Sequence, residues 1–202
     1  MNPEPRQGLL IAFEGLDQSG KQTQAECVRD AAFSRGRECR LLSFPDYTTP
    51  IGSEIGKALH GEREYSADVM QLMYVANRHE RRAEMMQLLE RGVVVVCDRY
   101  TASSIAYGEA QGLDPDWLAD IQRFLPAADL TILLDIAPET AVGRKATGRD
   151  RYERDMRLLS RVRDSYRRQA SAGAWLLLDG ERPRAAVSAD VIAAVSTRLA
   201  RP

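Results

Sequence analysis

Apolar residues fall along this chain in two alternating rhythms. Short runs rich in β-formers, LLIAF (9–13), CRLLSF (39–44), VVVVC (93–97), LTILLDI (130–136) and WLLLD (175–179), are separated by longer stretches of helical period. Runs this uniformly apolar predict strands buried on both faces. That implies an α/β fold, a parallel sheet covered by helices on each side, with ligands bound at the carboxyl ends of its strands. The longest helical stretch is predicted from about Ser66 to Arg91, with Ala67, Met70, Met73, Tyr74, Asn77 and Arg81 near one face and Gly92 ending it. No internal repeat, low-complexity tract or linker interrupts the pattern, so residues 1–202 are expected to form a single domain.

Function is therefore expected in the segments just after the apolar runs. After the first comes GLDQSGK, in which Gly15, Gly20 and Lys21 fit the phosphate-loop pattern G-x-x-x-x-G-K-[ST], except that Gln22 stands where Ser or Thr binds metal. A strand before and a helix after such a loop let backbone N–H groups and the helix dipole cradle phosphates, with the lysine reaching the terminal pair. Residues Gly15, Leu16, Asp17, Gln18, Ser19, Gly20, Lys21, Gln22 and Thr23 are therefore expected at a nucleotide's phosphates. Asp17 would repel those phosphates unless it orients a metal-bound water, a sugar hydroxyl or an arginine. Thr23, one helical step beyond residue 22, is expected to turn about 100° away from the metal.

After the second run, Phe44 and Tyr47 flank a stiff Pro45 and offer rings to a planar ligand. In the long helical stretch Tyr74 and Arg78 are four apart and share a face, as would suit stacking on a base and holding its carbonyl. After the third run, Asp98 is placed to organise the Mg²⁺ of a nucleotide through water. Arg99 is placed to clamp a second phosphate, and Ser103, Ser104 and Tyr107 lie one turn on.

Composition changes this picture in two places. Net charge is −1, with 44% hydrophobic and 28% charged residues, so nothing global points to nucleic acid or an anionic membrane. Yet between Arg144 and Arg168 ten Lys or Arg stand against four acids, and ATGRDR reads as a loop, so a basic lid over phosphates is expected at about 144–155. Cys27, Cys39 and Cys97 form no C-x-x-C pair and only two His accompany them, which predicts reduced structural cysteines. With no long apolar span and no signal-like start, a cytosolic protein is expected.

The loop motif, FP after the second run, ANR in the long helix, DRY..S..AY after the third run and RDRYERD after the fourth occur in the order seen in thymidylate kinases, which the chain resembles from Leu9 to about Asp179. The resemblance implies a P-loop NTPase-type five-stranded parallel sheet with helices on both faces, usually dimeric, transferring phosphate from MgATP to thymidine monophosphate. By position, Lys21 would hold the ATP phosphates and Asp17 would lie near the acceptor phosphate and metal. Arg99 would bind the acceptor phosphate, Tyr74 would stack on thymine and Arg78 would contact it. Ser103, Ser104 and Tyr107 would edge base and sugar, Phe44 would pack beside the nucleotide, and Arg144 would lie near adenine. Arg149, Arg151 and Arg154 would belong to the lid.

Two departures matter. Asp46 and Tyr47 stand where many members carry Arg, Tyr47 resembling a variant in which a tyrosine orders the acceptor site. Gln18 fills a loop position that is Gly in some members and a catalytic Arg in others. The lid must then supply the cation, with Arg151 first and Arg149 second. Three alternatives stay open: a kinase for dUMP or UMP, a nucleotide-binding regulator without catalysis, suggested by Gln18 and Gln22, and a deoxynucleoside kinase using Asp46 as its base.

Overall fold

A computed structural model describes residues 7–144, 152 and 155–199. All five predicted strands form: β1 (Leu9–Glu14), β2 (Cys39–Ser43), β3 (Val94–Asp98), β4 (Leu130–Asp135) and β5 (Leu176–Asp179). They pair in parallel in the order β2-β3-β1-β4-β5, which puts the glycine loop after the central strand. Side chains of the central strands alternate between two layers. Ile11, Phe13, Val94 and Val96 pack with Val28 of α1 (Lys21–Phe33) and with Val191 and Val195 of α9 (Arg184–Leu199). Leu10, Ala12, Val95 and Cys97 face Met85 and Leu89 of α4 (Arg82–Glu90) and Tyr100 on the other side.

The uniform apolarity of the runs overstates burial at the sheet edges. Arg40 and Ser43 of β2 and Leu177 of β5 are exposed, because an edge strand has a neighbour on one side only.

A third core cluster lies over the carboxyl ends of the strands. It joins α2 (Pro50–Leu59), α3 (Ala67–Glu80), α5 (Thr101–Ala110), α7 (Pro138–Arg144) and α8 (Met156–Ala172), and it frames the candidate site. α2 starts on Thr49, whose hydroxyl accepts from Gly52 N–H at 3.0 Å, with Pro50 at the first helical position. α8 starts on Asp155, whose carboxylate accepts from the N–H of Arg157 and of Leu158, both at 3.0 Å.

The single helix expected from Ser66 to Arg91 is two helices, α3 and α4, broken at Arg81. At Arg81 (φ −100°, ψ −4°) the N–H turns to the Arg78 carbonyl three residues back at 3.1 Å, and the guanidinium reaches Asp46 at 2.6 Å. That ion pair ties the helix junction to the loop after β2. The end at Gly92 is as expected, with φ +81° in the left-handed region.

Candidate active site

Two cavities meet at the carboxyl edge of the sheet. The first, about 500 Å³, lies among α2, α3 and α5 and is lined by Tyr74, Arg78, Ser103, Ser104 and Tyr107 among others. The second, about 490 Å³, surrounds the glycine loop and is lined by Gln18, Gly20, Lys21, Gln22, Thr23 and Asp98. Asp17, Phe44, Pro45, Tyr47 and Arg99 line both, so the cavities share a wall. Each volume suits one small ligand.

The glycine loop takes its shape from positions that exclude side chains. Gly15 has φ +135°, and a Cβ there would lie 2.4 Å from the Leu134 carbonyl oxygen on β4. Gly20 caps α1 with φ +97°. Lys21 is buried and donates from Nζ to the carbonyls of Gly15 at 3.2 Å and Leu16 at 2.8 Å, which holds the ammonium inside its own loop. Burial, with Arg99 nearby, lowers its pKa. Arg144 donates to the carbonyl oxygens of Gln18 at 3.0 Å and Gly180 at 3.1 Å, fastening the loop to the turn after β5.

Gln22 is exposed, and its amide donates to Glu26 one turn on at 3.2 Å. Thr23, one helical step on, lines the cavity beside it, since the first turn of a helix that opens into a cavity presents adjacent residues to it.

Arg99 stands at the shared wall with a positive φ of 65°. Its guanidinium pairs with Asp17 at 2.7 Å and donates to Ser103 Oγ at 3.2 Å, Tyr166 OH at 3.1 Å and Tyr107 OH at 3.3 Å. It also lies 5.3 Å from the centre of the Tyr107 ring. Burial opposes its charge, but Asp17 and the two phenols hold its pKa well above the ordinary arginine value. Asp17 thus orients an arginine, one of the three roles open to it.

Beneath Arg99 lies a residue that was not among the expected site residues. Glu14, the last residue of β1, is fully buried and accepts from Tyr100 N–H at 2.9 Å, Ser103 Oγ at 2.7 Å and Tyr166 OH at 3.1 Å. Tyr166 of α8 completes this network; burial first, then Glu14, pushes its phenol well above the usual tyrosine range. A carboxylate closing an apolar strand is the signal that could have marked Glu14. Tyr166 had none.

In the first cavity Arg78 is buried and donates to Ser104 Oγ at 2.8 Å and Gln122 Oε1 at 3.1 Å; burial lowers its pKa. Gln122 was not expected and is held by the carbonyls of Leu118 and Thr101. Tyr74 is half-buried, Phe44 buried with its ring 6.1 Å from that of Tyr100, and Tyr47 half-exposed at 52%. Tyr152, also unexpected, is buried with its ring 5.8 Å from that of Tyr107.

Of the predicted lid residues, Arg149, Arg151 and Arg154 lie outside the described residues. The second half of the basic run is the outer side of α8. There Arg163 grips Asp135 with two bonds of 2.7 and 2.9 Å, and Arg161 donates to the Ala110 carbonyl at 2.8 Å.

Asp46 lines neither cavity. Its carboxylate accepts from Thr48 and Arg81. Its burial works against ionisation, but bonds from the Thr48 hydroxyl and N–H and from Arg81 hold its pKa below the ordinary value. A carboxylate so engaged is not placed as the base a hydroxyl acceptor needs. Among the described residues, no group of three or more Asp, Glu, His or Cys could hold a metal by itself. Asp98 beside Lys21 nevertheless fits Mg²⁺ held mainly by phosphates and water.

A glycine phosphate loop on the central strand of a parallel sheet, its cavity sharing a wall with another that bears Arg78, defines a phosphotransferase of the nucleotide-kinase class. The thymidylate kinase family model matches residues 13–191, and the chain belongs to that family. It is 39% identical to a thymidylate kinase of Schizosaccharomyces pombe over 73% of this chain and 70% of that one. It is 31% identical to one from Plasmodium falciparum over 100% and 96% of the two chains. A solved thymidylate kinase structure from Candida albicans superposes with a TM-score of 0.84 at 29% identity, covering 96% of this chain and 92% of the other.

Proposed function

We propose that this chain transfers the γ-phosphoryl group of ATP to the 5′-phosphate of thymidine monophosphate. An acceptor phosphate oxygen bonds to the γ phosphorus as the bridge to the β-phosphate breaks, leaving thymidine diphosphate and ADP. The observation that carries this reading is the wall shared by the two cavities, where Arg99 and Asp17 stand between a nucleotide-phosphate loop and a ring-lined slot. The acceptor is already an anion, so no general base is needed; alignment and neutralisation of charge do the work.

On this reading Lys21 and the loop N–H groups hold the donor phosphates, and Arg144 sits near the adenine. Arg99 holds the acceptor phosphate, while Tyr74 stacks on the base, Arg78 meets a carbonyl, and Ser104 and Tyr107 edge base and sugar. Arg151, with Arg149 behind it, supplies the cation that Gln18 does not. Asp98 would hold Mg²⁺ through water, and the ion would screen charge on the donor phosphates. Gln22, turned toward Glu26, makes the protein's share in metal binding small. The dimer belongs to this reading too, with Val69 and Leu72 exposed on the outer side of α3 as its apolar contact. So does a cytosolic location: among the described residues no helix is long and apolar enough to cross a membrane.

The test is ADP release measured with thymidine, deoxyuridine, uridine and deoxycytidine monophosphates as acceptors. Thymidine monophosphate should give the highest kcat/KM. ATP binding with no acceptor-dependent ADP would instead favour a regulator.

A further inference from the structure

Gln71 precedes Tyr74 by one turn of α3 and Arg78 by two, and all three line the acceptor-side cavity. Spacings of three and seven place them on one helical stripe. Gln71 is 0% exposed, yet neither its Oε1 nor its Nε2 has a hydrogen-bond partner. Arg78 Nε, on the same stripe, is also buried and unpaired. Buried polar groups are almost always satisfied, and an unpaired amide destabilises the fold that contains it.

Packing accounts for the position of Gln71 but not for its chemistry. A Cβ on Gly108 of α5 would lie 3.3 Å from Gln71 Cγ, so the bare glycine leaves room for the glutamine stem. A methionine or leucine would fill that room without leaving two polar atoms unpaired. The amide therefore needs a partner that the protein itself does not supply.

We infer that Gln71 is a base-reading, specificity-determining residue. Its carboxamide offers a donor and an acceptor side by side, the complement of an imide edge: N3–H and an adjoining carbonyl of thymine or uracil. Arg78 offers donors only, which suit the second carbonyl. With Arg78 on the 4-carbonyl and the amide on N3–H and the 2-carbonyl, cytosine sets its 4-amino group against Arg78 and two acceptors, N3 and O2, against the amide, which pairs with only one of them whichever way it is turned. A site built on such pairing rejects the mismatched base more strongly than an apolar slot of the same shape. The inference rests on the thymidylate-kinase reading above.

The experiment compares native protein with Gln71→Met and Gln71→Leu. Both variants should raise KM for thymidine monophosphate at least about tenfold, with a smaller change in kcat. The preference for thymidine over deoxycytidine monophosphate should fall by a similar factor. Tm without ligand should hold or rise, since a buried unpaired amide is gone. If the native protein is active and both variants keep its KM and selectivity, the inference fails and the amide is bonded only by water. A lower unliganded Tm with unchanged selectivity assigns Gln71 to packing and overturns it equally. A native protein with no thymidylate-dependent turnover overturns the functional reading, and this inference with it.

Discussion

Glu14 sets the position of Arg99 without lining either cavity. Its two oxygens accept three bonds, two of them from hydroxyls that in turn accept from the Arg99 guanidinium. Glu14→Gln keeps the shape but turns one acceptor into a donor, so the Ser103 and Tyr166 hydroxyls must reorient. A loss of about 1–3 kcal/mol is expected, read from urea midpoints, because a buried group is left mispaired. A change below about 0.5 kcal/mol would mean the network re-routes freely. The cation that Gln18 does not supply is a separate matter. Arg151→Ala should lower kcat by about two orders of magnitude while leaving thymidine monophosphate affinity nearly intact, because a cation that acts on transition-state charge adds little to ground-state binding. Steady-state kinetics at saturating ATP decide it, and an unchanged kcat removes Arg151 from the chemistry.

The loop after β2 is held at the scale of elements. Asn77 of α3 accepts from Asp46 N–H at 2.8 Å and donates to Thr49 Oγ1 at 2.8 Å, while Arg81, at the break before α4, grips the Asp46 carboxylate. The ANR motif in the sequence is thus a clamp as well as a source of Arg78. Gly52 makes the clamp possible, since a Cβ there would lie 1.7 Å from the Asp46 carbonyl oxygen. The pKa of Asp46 is lowered from 3.8, so its stabilising effect is present above that value and is lost as pH falls through its folded pKa. Asp46→Asn should be less stable than the native protein at pH 7, and the gap should close below about pH 4. Denaturant midpoints across pH measure it; a gap independent of pH would deny the carboxylate its part. Five strands were legible because each is a run of β-formers bounded by polar residues. The helix break was not, because residues 77–82 carry no Gly or Pro to mark it, and among the side chains that hold Arg81 are those of Asp46 and Thr48, 35 and 33 residues away.

At the scale of the whole molecule, what the sequence hid is what the sheet brings together. Lys21, Asp98, Arg99 and Tyr74 stand in motifs whose local spacing implies their chemistry. Tyr166 is 152 residues from Glu14 and Gln122 is 44 from Arg78, and no periodicity connects them. The strand order has a further consequence, for the order of synthesis. β1 and β2 are made first, yet they never touch: β2 pairs with β3 alone, and β1 with β3 and β4. A nascent chain that has reached Glu90 therefore carries two apolar strands and no partner for either, a state open to chaperones and to misassociation. Pairing starts only when Val94–Asp98 leaves the ribosome, and Gly15 meets its backing carbonyl only after Leu134 does. Hydrogen exchange on stalled chains should show β1 unprotected at residue 90 and protected once residue 136 is clear of the tunnel. The phosphate loop, made before the strand that backs it, waits for β4 before it can take its shape.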